Sequence, residues 1–181
     1  MESKNQGREA KMPEKDLDIM DREELRKLAG SLLWQLRLAD AFWFINIEKR
    51  MGLEGAEEVN ALVWEQVGRL AARDIIGRFA IKEKGLQGLL QALKYFSWGL
   101  MLDYDVQSGD KEMILSVPVC PAQEGRKKHG LGEYSCKEMH LREFTAFAGE
   151  IDPRIRVHCI FAPPDDHPPE LYCRWRFDLG A

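Results

Sequence analysis

The spacing of apolar residues changes from a helical to an alternating period near residue 101, and this change most constrains the fold. Before that point apolar side chains recur every three or four residues, as in Leu89, Leu93 and Phe96, which is typical of amphipathic helices. After it they alternate, as in Tyr104 and Val106, which indicates strands with one buried face. The chain is therefore expected to place a helical part before a sheet-forming part.

Three helices are predicted in the helical part. The first begins at Asp21, which can form a capping box with Glu24, and ends at Gly52, a residue type that commonly follows a helix C-terminus. The second covers about residues 54–79 and the third about 86–100. Each carries an apolar stripe at helical spacing, so each is expected to bury one face.

The alternating part predicts a ββαββ unit. Two strands flank a turn at 108–110, and a loop with several glycines follows them. A helix is predicted to start at Ser135 and end near Gly149, and two further strands cover 155–161 and 171–177. The fold class is therefore α+β, with three N-terminal helices followed by a ββαββ antiparallel-sheet unit.

Composition favours one globular domain, because 45% of the residues are apolar. We expect a disordered tail over residues 1–16 and a single domain over 17–181, made of a helical part (17–100) and a ββαββ part (101–181). The tail lacks the apolar segment of a secretory signal, and no run approaches the roughly 18 apolar residues of a membrane span. We therefore predict a cytoplasmic protein with no membrane partner and with reduced cysteines.

The charge pattern argues against a nucleic-acid partner. The formal net charge is −4 with mixed signs, whereas nucleic-acid-binding proteins usually carry a basic stripe. One short basic run covers residues 126–129. It is either a solvated loop or an anion-binding rim beside a thiol site.

All the cysteines and histidines lie in the last third of the chain. They are Cys120, His129, Cys136, His140, His158, Cys159, His167 and Cys173. Thiols and imidazoles supply nucleophiles, general bases and ligands for soft metals. Any chemistry is therefore predicted in this part of the chain.

Cys136 is the strongest candidate for a nucleophile. If Ser135 caps the helix, Cys136 lies in its first turn, where free amides and the helix dipole favour a thiolate. Lys137 would act in the same direction. His140 lies one turn further on the same face, so the two residues can form a nucleophile and its base. The alternative is a small residue packed on the sheet, with His140 in solvent.

A second interpretation gathers Cys120, Cys136, Cys159 and Cys173 around a zinc ion. Four cysteines are the right number of ligands, although their spacing contains no Cys-x-x-Cys knuckle. Otherwise Cys159 and Cys173 lie on the apolar phase of their strands and are buried packing residues. Zinc is thus a possible cofactor on this interpretation only.

Asp40 interrupts the apolar stripe of the first helix, between Leu36 and Trp43. A buried carboxylate is unfavourable unless it is paired or functional. It is predicted either to serve as a general base or ligand-binding group, or to form a structural ion pair with Arg69 or Arg73 of the second helix.

Several short motifs resemble a known family. They are Asp40-Ala41-Phe42-Trp43-Phe44, Glu48, Cys120-Pro121, Arg126, Gly130-Leu131-Gly132-Glu133, Cys136-Lys137, Ile151-Asp152-Pro153-Arg154, Pro163-Pro164-Asp165 and Cys173-Arg174-Trp175. Over about residues 20–180 the chain resembles an uncharacterised prokaryotic family of cytosolic proteins related to L-2-amino-thiazoline-4-carboxylic acid hydrolases. The resemblance implies thiol-dependent hydrolysis of a C–N bond, with Cys136 in that role and Asp40 as its helical partner. The layout is also similar to small-molecule-binding domains of the 4-vinyl reductase type.

These observations predict a small-molecule pocket between the helices and the sheet. If the pocket is catalytic, it hydrolyses a small amide- or thiazoline-like compound. Cys136 would then be the nucleophile, His140 or His129 the base, and the early amides of the helix the oxyanion donors. Trp43 would line the pocket, and Arg126 would hold a substrate carboxylate.

The alternative is a ligand-binding or zinc-binding sensor or structural domain without turnover. On this interpretation the cysteines bind zinc or simply pack, and the helical part mediates a homodimer. Metal content of the purified protein separates the two interpretations, because structural zinc is lost together with folding.

Overall fold

The computed structural model describes residues 15–180, and the chain divides into two compact units with the boundary in sequence between Ala39 and Asp40. Residues 1–14, the greater part of the predicted tail, lie outside the described residues. Within 15–180, no helix has both the length and the apolar content that crossing a membrane requires.

The first unit contains helix α1 (Lys15–Asp18) and the beginning of helix α2 (Arg22–Arg78). The predicted capping box is confirmed. The backbone N–H of Glu24 donates to Asp21 Oδ1 at 2.8 Å, and the N–H of Asp21 donates to Glu24 Oε2 at 3.1 Å. These bonds satisfy donors that a helix start otherwise leaves without partners.

The remainder of α2 belongs to the second unit and is interrupted at Gly52, where φ is 81° and ψ is 172°. The predicted helix end at Gly52 is therefore confirmed, since only glycine adopts such a conformation at little cost. The predicted single helix over 86–100 is wrong. It consists of α3 (Gly85–Leu93) and α4 (Ser97–Met101), separated where Phe96 is extended (φ −72°, ψ 135°).

The second unit also contains a four-stranded antiparallel sheet in the order β1-β2-β4-β3, which confirms the predicted α+β class. Its remaining elements are β1 (Asp105–Ser108), β2 (Glu112–Val117), α5 (Pro121–Lys128), α6 (Lys137–Ile151), β3 (Ile155–Phe161) and β4 (Cys173–Leu179). Helix α5 occupies part of the segment that was expected to be a loop.

Helix α6 packs on the apolar face of the sheet, where the Phe144 and Trp175 ring centroids are 5.3 Å apart. Helix α6 also contacts α2, which approaches it at Gly68. A Cβ at Gly68 would lie 2.8 Å from the carbonyl oxygen of Glu143, so only glycine permits this approach. The close packing fixes the position of Glu143, a residue of the site described below.

Candidate functional site

A small cavity lies between α2, α4, the start of α5 and α6. Its volume of about 30 Å³ is close to the space that one water molecule occupies. The lining residues are Asp40, Trp64, Trp98, Leu102, Cys120, Pro121, Ala122, Tyr134, Met139, His140 and Glu143. Because none of them is a lysine or an arginine, the two carboxyl groups dominate the charge of the cavity.

Asp40 is a partly buried carboxyl group with an abnormal pKa. The indole N–H of Trp64 donates to Asp40 Oδ1 at 3.1 Å. Burial raises the pKa of Asp40 from 3.8 to about 6, and the hydrogen bond from the Trp64 indole, together with the nearby Trp43 indole, opposes part of that rise. The charge of Glu143 raises the pKa further.

The structural ion pair predicted for Asp40 is wrong. The Arg69 guanidinium donates to Glu65 at 3.2 Å, and that of Arg73 donates to both carboxylate oxygens of Glu150 at 2.9 Å. Within residues 15–180 no salt bridge involves Asp40. The role of Asp40 as a general base or ligand-binding group stays a prediction.

Glu143 was missed by sequence reasoning and is the most unusual group in the cavity. Its side chain is only 2% exposed. The Nδ1–H of His140 donates to Glu143 Oε2 at 2.7 Å, but Oε1 is buried without a hydrogen-bond partner in the described part of the chain. A buried carboxylate oxygen without a donor is unfavourable, so this atom marks a place where a ligand donor would be accepted.

Gln123 connects α5 to the segment that precedes α6. Its side chain is fully buried, and its Nε2 donates to the carbonyl oxygen of Tyr134 at 2.9 Å. The backbone N–H of Tyr134 in turn donates to Gln123 Oε1 at 3.1 Å. These two hydrogen bonds connect the start of α5, which contains Cys120, to the segment that contains Tyr134. Both segments line the cavity.

Cys136 is 3% exposed and does not line the cavity. It is the N-cap of α6 rather than a first-turn residue, and the backbone N–H groups of Cys136 and Lys137 both donate to the carbonyl oxygen of Pro163 at 3.1 Å. Two of the amides predicted to stabilise a thiolate or an oxyanion are therefore already bonded. Burial raises the pKa of Cys136 well above its usual value, so the prediction of an acidified thiol is wrong.

We expect Cys136 to resist alkylation while the protein is folded. Its rate with iodoacetamide should be at least about 100-fold lower than in the urea-unfolded chain, because the sulfur is sealed and its thiolate is disfavoured. Mass spectrometry of peptides gives the rate for each cysteine. Cys159, which is more exposed, is the internal control. Similar rates for Cys136 in the folded and unfolded protein would contradict this expectation.

Arg126 does not line the cavity, so the structure does not place it where it could hold a substrate carboxylate in that cavity. Its guanidinium, 7% exposed, donates to both carboxylate oxygens of Glu48 at 2.6 and 3.1 Å and to the carbonyl oxygen of Gly132 at 3.2 Å. These partners occupy its donors, and the hydrogen bond to Arg126 lowers the pKa of Glu48.

Two other predicted residues lie away from the cavity. His129 is exposed at the C-terminal end of α5, a helix where the sequence predicted a loop. It does not line the cavity, so it is not placed to act as a base there. Trp43 is half-buried and acts on the site through its effect on the pKa of Asp40. Of the predicted catalytic residues, Asp40 and His140 meet at the cavity.

The predicted four-cysteine zinc site is wrong. Among the residues that the structure describes, no three His, Cys, Asp or Glu side chains are arranged to hold a metal ion. Cys120 lines the cavity, Cys159 lies in β3 and Cys173 lies in β4. The strand register explains why Cys159 and Cys173 are not paired, since the residue opposite Cys159 on the neighbouring strand is Trp175.

One comparison with known families gives a match. A family model described as a family of unknown function, DUF6125, matches residues 19–179. The chain belongs to this family. No curated protein matches it. The match therefore supports the resemblance to an uncharacterised family and shows no link to the L-2-amino-thiazoline-4-carboxylic acid hydrolases.

In this DUF6125 protein, the cavity combines two carboxyl groups, an imidazole and a thiol with aromatic walls. The carboxyl groups can bind a cation, and the imidazole can transfer a proton when a carboxylate orients its ring. The Glu143–His140 hydrogen bond provides that orientation. The arrangement is suited to recognition of a nitrogen-containing cation and to proton transfer beside it.

Proposed function

We propose that this protein binds a small organic cation whose N–H group lies between Asp40 and Glu143. The observation that carries the proposal is the buried Glu143 Oε1, which has no donor within the described residues. A ligand N–H would supply the missing hydrogen bond, and its positive charge would compensate the buried carboxylate.

The walls of the cavity support a cationic rather than an anionic ligand. Trp64, Trp98 and Tyr134 line it, and the faces of such rings attract cations. The carboxyl groups of Asp40 and Glu143 repel anions, and no arginine or lysine lines the cavity to attract one. A carboxylate or phosphate group inside the cavity would therefore be unfavourable, whereas a part of the ligand outside the void can carry such a group.

The size of the cavity limits what enters it. About 30 Å³ admits a group of the size of a water molecule, which is also the size of an ammonium or of one NH₂ group. The proposal therefore concerns the charged nitrogen head of a ligand. The rest of such a molecule would lie outside this void.

The resemblance to L-2-amino-thiazoline-4-carboxylic acid hydrolases supports the same class of ligand. An aminothiazoline contains an isothiourea group, which becomes a planar cation with N–H donors when it is protonated. Hydrolysis of a C–N bond in such a compound is the catalytic form of our proposal. Binding without turnover is its simpler form.

Calorimetric titration with three matched compounds tests the proposal. Acetamidine, acetamide and acetate have similar shapes and carry positive, zero and negative charge. We expect acetamidine to bind and the other two to bind at least about tenfold more weakly, a difference of about 1.4 kcal/mol. Glu143→Gln should lose most of this preference because it removes one negative charge.

An exposed substitution, Asp103→Asn, is the control and should leave binding unchanged. Equal affinity for the three compounds would contradict the proposal and would assign the cavity to a structural water. Loss of binding in the control as well would indicate a nonspecific charge effect rather than a site at Glu143.

The affinity for acetamidine should rise with pH. Asp40, with a pKa of about 6, must be ionised to attract a cation fully. Between about pH 5 and about pH 7.5 the affinity should therefore increase about tenfold, and binding below the pKa should release a proton. Titrations in two buffers of different ionisation enthalpy measure that proton. For Asp40→Asn we expect a much flatter profile.

A further inference from the structure

We propose that Cys120 is the reactive thiol of this site and attacks the carbon of an amidinium-class ligand held by Asp40 and Glu143. The inference rests on the proposed cation site, and it differs from the sequence prediction, which gave this role to Cys136. Cys120 lines the cavity together with His140 and the two carboxyl groups, whereas Cys136 does not.

The position of Cys120 suits a nucleophile. It is the N-cap of α5, an eight-residue helix, and within the described residues no cap hydrogen bond engages its side chain. Burial raises its pKa, and the nearby backbone amides of Gln123 and Ala122 oppose part of that rise. The Gln123–Tyr134 pair holds the start of α5 against the neighbouring wall. Glu143, which lines the same cavity as Cys120, has a buried Oε1 without a donor in the described part of the chain, and this is the independent sign of a ligand.

A bound cation would activate the thiol. Without a ligand, burial raises the pKa of Cys120 and keeps the proton on sulfur. A positive charge in the cavity acts in the opposite direction, because it stabilises a neighbouring thiolate. The ligand that the carboxyl groups bind is thus also the agent that prepares Cys120 to react with it.

The addition step is balanced without any other reactant. The sulfur forms one bond to the amidinium carbon, the C=N π pair becomes a lone pair on nitrogen, and the thiol proton passes to that nitrogen. The adduct carries the same single positive charge as the amidinium. Departure of ammonia with the C–N bonding pair then leaves a thioimidate on Cys120, which water can hydrolyse.

The other cysteines differ in ways that make the inference testable. Cys173 is buried and its pKa is raised to about 12. Cys159 is more accessible and lies near Lys137, whose charge opposes the rise of its pKa to about 11. Lys137 is paired with Asp165, so Cys159 lies near an ion pair without net charge. Cys120 lines the cavity together with the carboxyl groups of Asp40 and Glu143 and should favour cationic reagents.

The experiment treats the full folded chain with chloroacetamidine, chloroacetamide or chloroacetate. Each reagent forms one S–C bond while chloride leaves with the C–Cl pair, and peptide mass spectrometry gives the rate at each cysteine. After normalisation to free cysteine, Cys120 should react at least about tenfold faster with the amidine than with the amide. Cys159 should show no such preference, and Asp40→Asn and Glu143→Gln should remove it from Cys120.

Two outcomes would overturn the inference, and they separate it from the proposed function. If acetamidine binds but chloroacetamidine shows no preference for Cys120, the cation site stands and the role of Cys120 is wrong. If acetamidine does not bind and no preference is found, both are wrong. In the expected case Cys120→Ser still binds acetamidine and no longer forms the adduct.

Discussion

Replacing Asp40 with asparagine is expected to stabilise the folded protein by up to about 3 kcal/mol near neutral pH. The folded-state pKa of about 6 lies above the ordinary value of 3.8, so the group favours the folded state fully when protonated. This contribution is lost as the pH rises through about 6. Asparagine stays neutral and keeps an acceptor for Trp64, so its advantage should be small near pH 4 and largest above pH 7.

Urea unfolding of the parent and variant across this pH range measures the difference, because the other titrating groups are common to both. The exposed substitution Asp103→Asn serves as the matched control and should change the free energy of unfolding by less than about 0.5 kcal/mol at every pH. A strongly destabilised Asp40→Asn would indicate a structural carboxylate and would count against the cation site. A gain in stability with loss of acetamidine binding is the pattern of a functional residue.

Replacing Arg126 with alanine is expected to destabilise the protein by about 3 to 5 kcal/mol. The change removes both hydrogen bonds to Glu48 and leaves that carboxylate, 20% exposed, without its charge partner. It also removes a guanidinium packed 5.6 Å from the Phe44 ring centroid and 5.7 Å from that of Tyr134. Lysine should not restore stability, because one ammonium cannot bind two carboxylate oxygens in the same plane.

The matched control is Arg73→Ala, which breaks a two-bond pair with Glu150 at a guanidinium that is 59% exposed. Solvent screens this pair, so its loss should cost less than about 1 kcal/mol. Urea unfolding compares the two variants. Similar small costs for both would return Arg126 to the role of an available ligand-binding group, as the sequence predicted.

The fold was predictable where local signals act without competition. The Asp21–Glu24 capping box and the break at Gly52 depend on residues close in sequence, and both appear as expected. The Ser135 cap failed because a distant group intervened. The carbonyl oxygen of Pro163 accepts from the N–H groups of Cys136 and Lys137, which moves the helix start by one residue.

Helix α5 could have been predicted from the residues at its two ends. Pro121 stands at its first position and Arg126, Lys127 and Lys128 in its last turn, which are typical start and stop signals. The neighbouring glycines favoured a loop instead. This error also misplaced Cys120, since a residue thought to lie in a loop could not be recognised as a helix cap facing a cavity.

The carboxyl groups of the site were predictable from the sequence, because each one interrupts an apolar stripe of a helix. Asp40 was singled out because a carboxylate interrupts an apolar stripe. Glu143 carries the same signal, since it lies between Met139 and Phe147 at a spacing of four residues, and all three are buried. The partners of Arg126 were out of reach, because Glu48 is 78 residues away and no local pattern connects them.

The Gln123 amide imitates a pair of strand hydrogen bonds with the backbone of Tyr134. These two bonds couple the start of α5, where Cys120 lies, to the segment that holds Tyr134, so this part of the wall is expected to be rigid. A ligand larger than a water molecule is then expected to enter through another wall of the cavity, the one formed by Trp98 and Leu102. These two residues lie in and directly after α4, a helix of only five residues. We therefore expect entry of a ligand to require displacement of the Trp98 side chain.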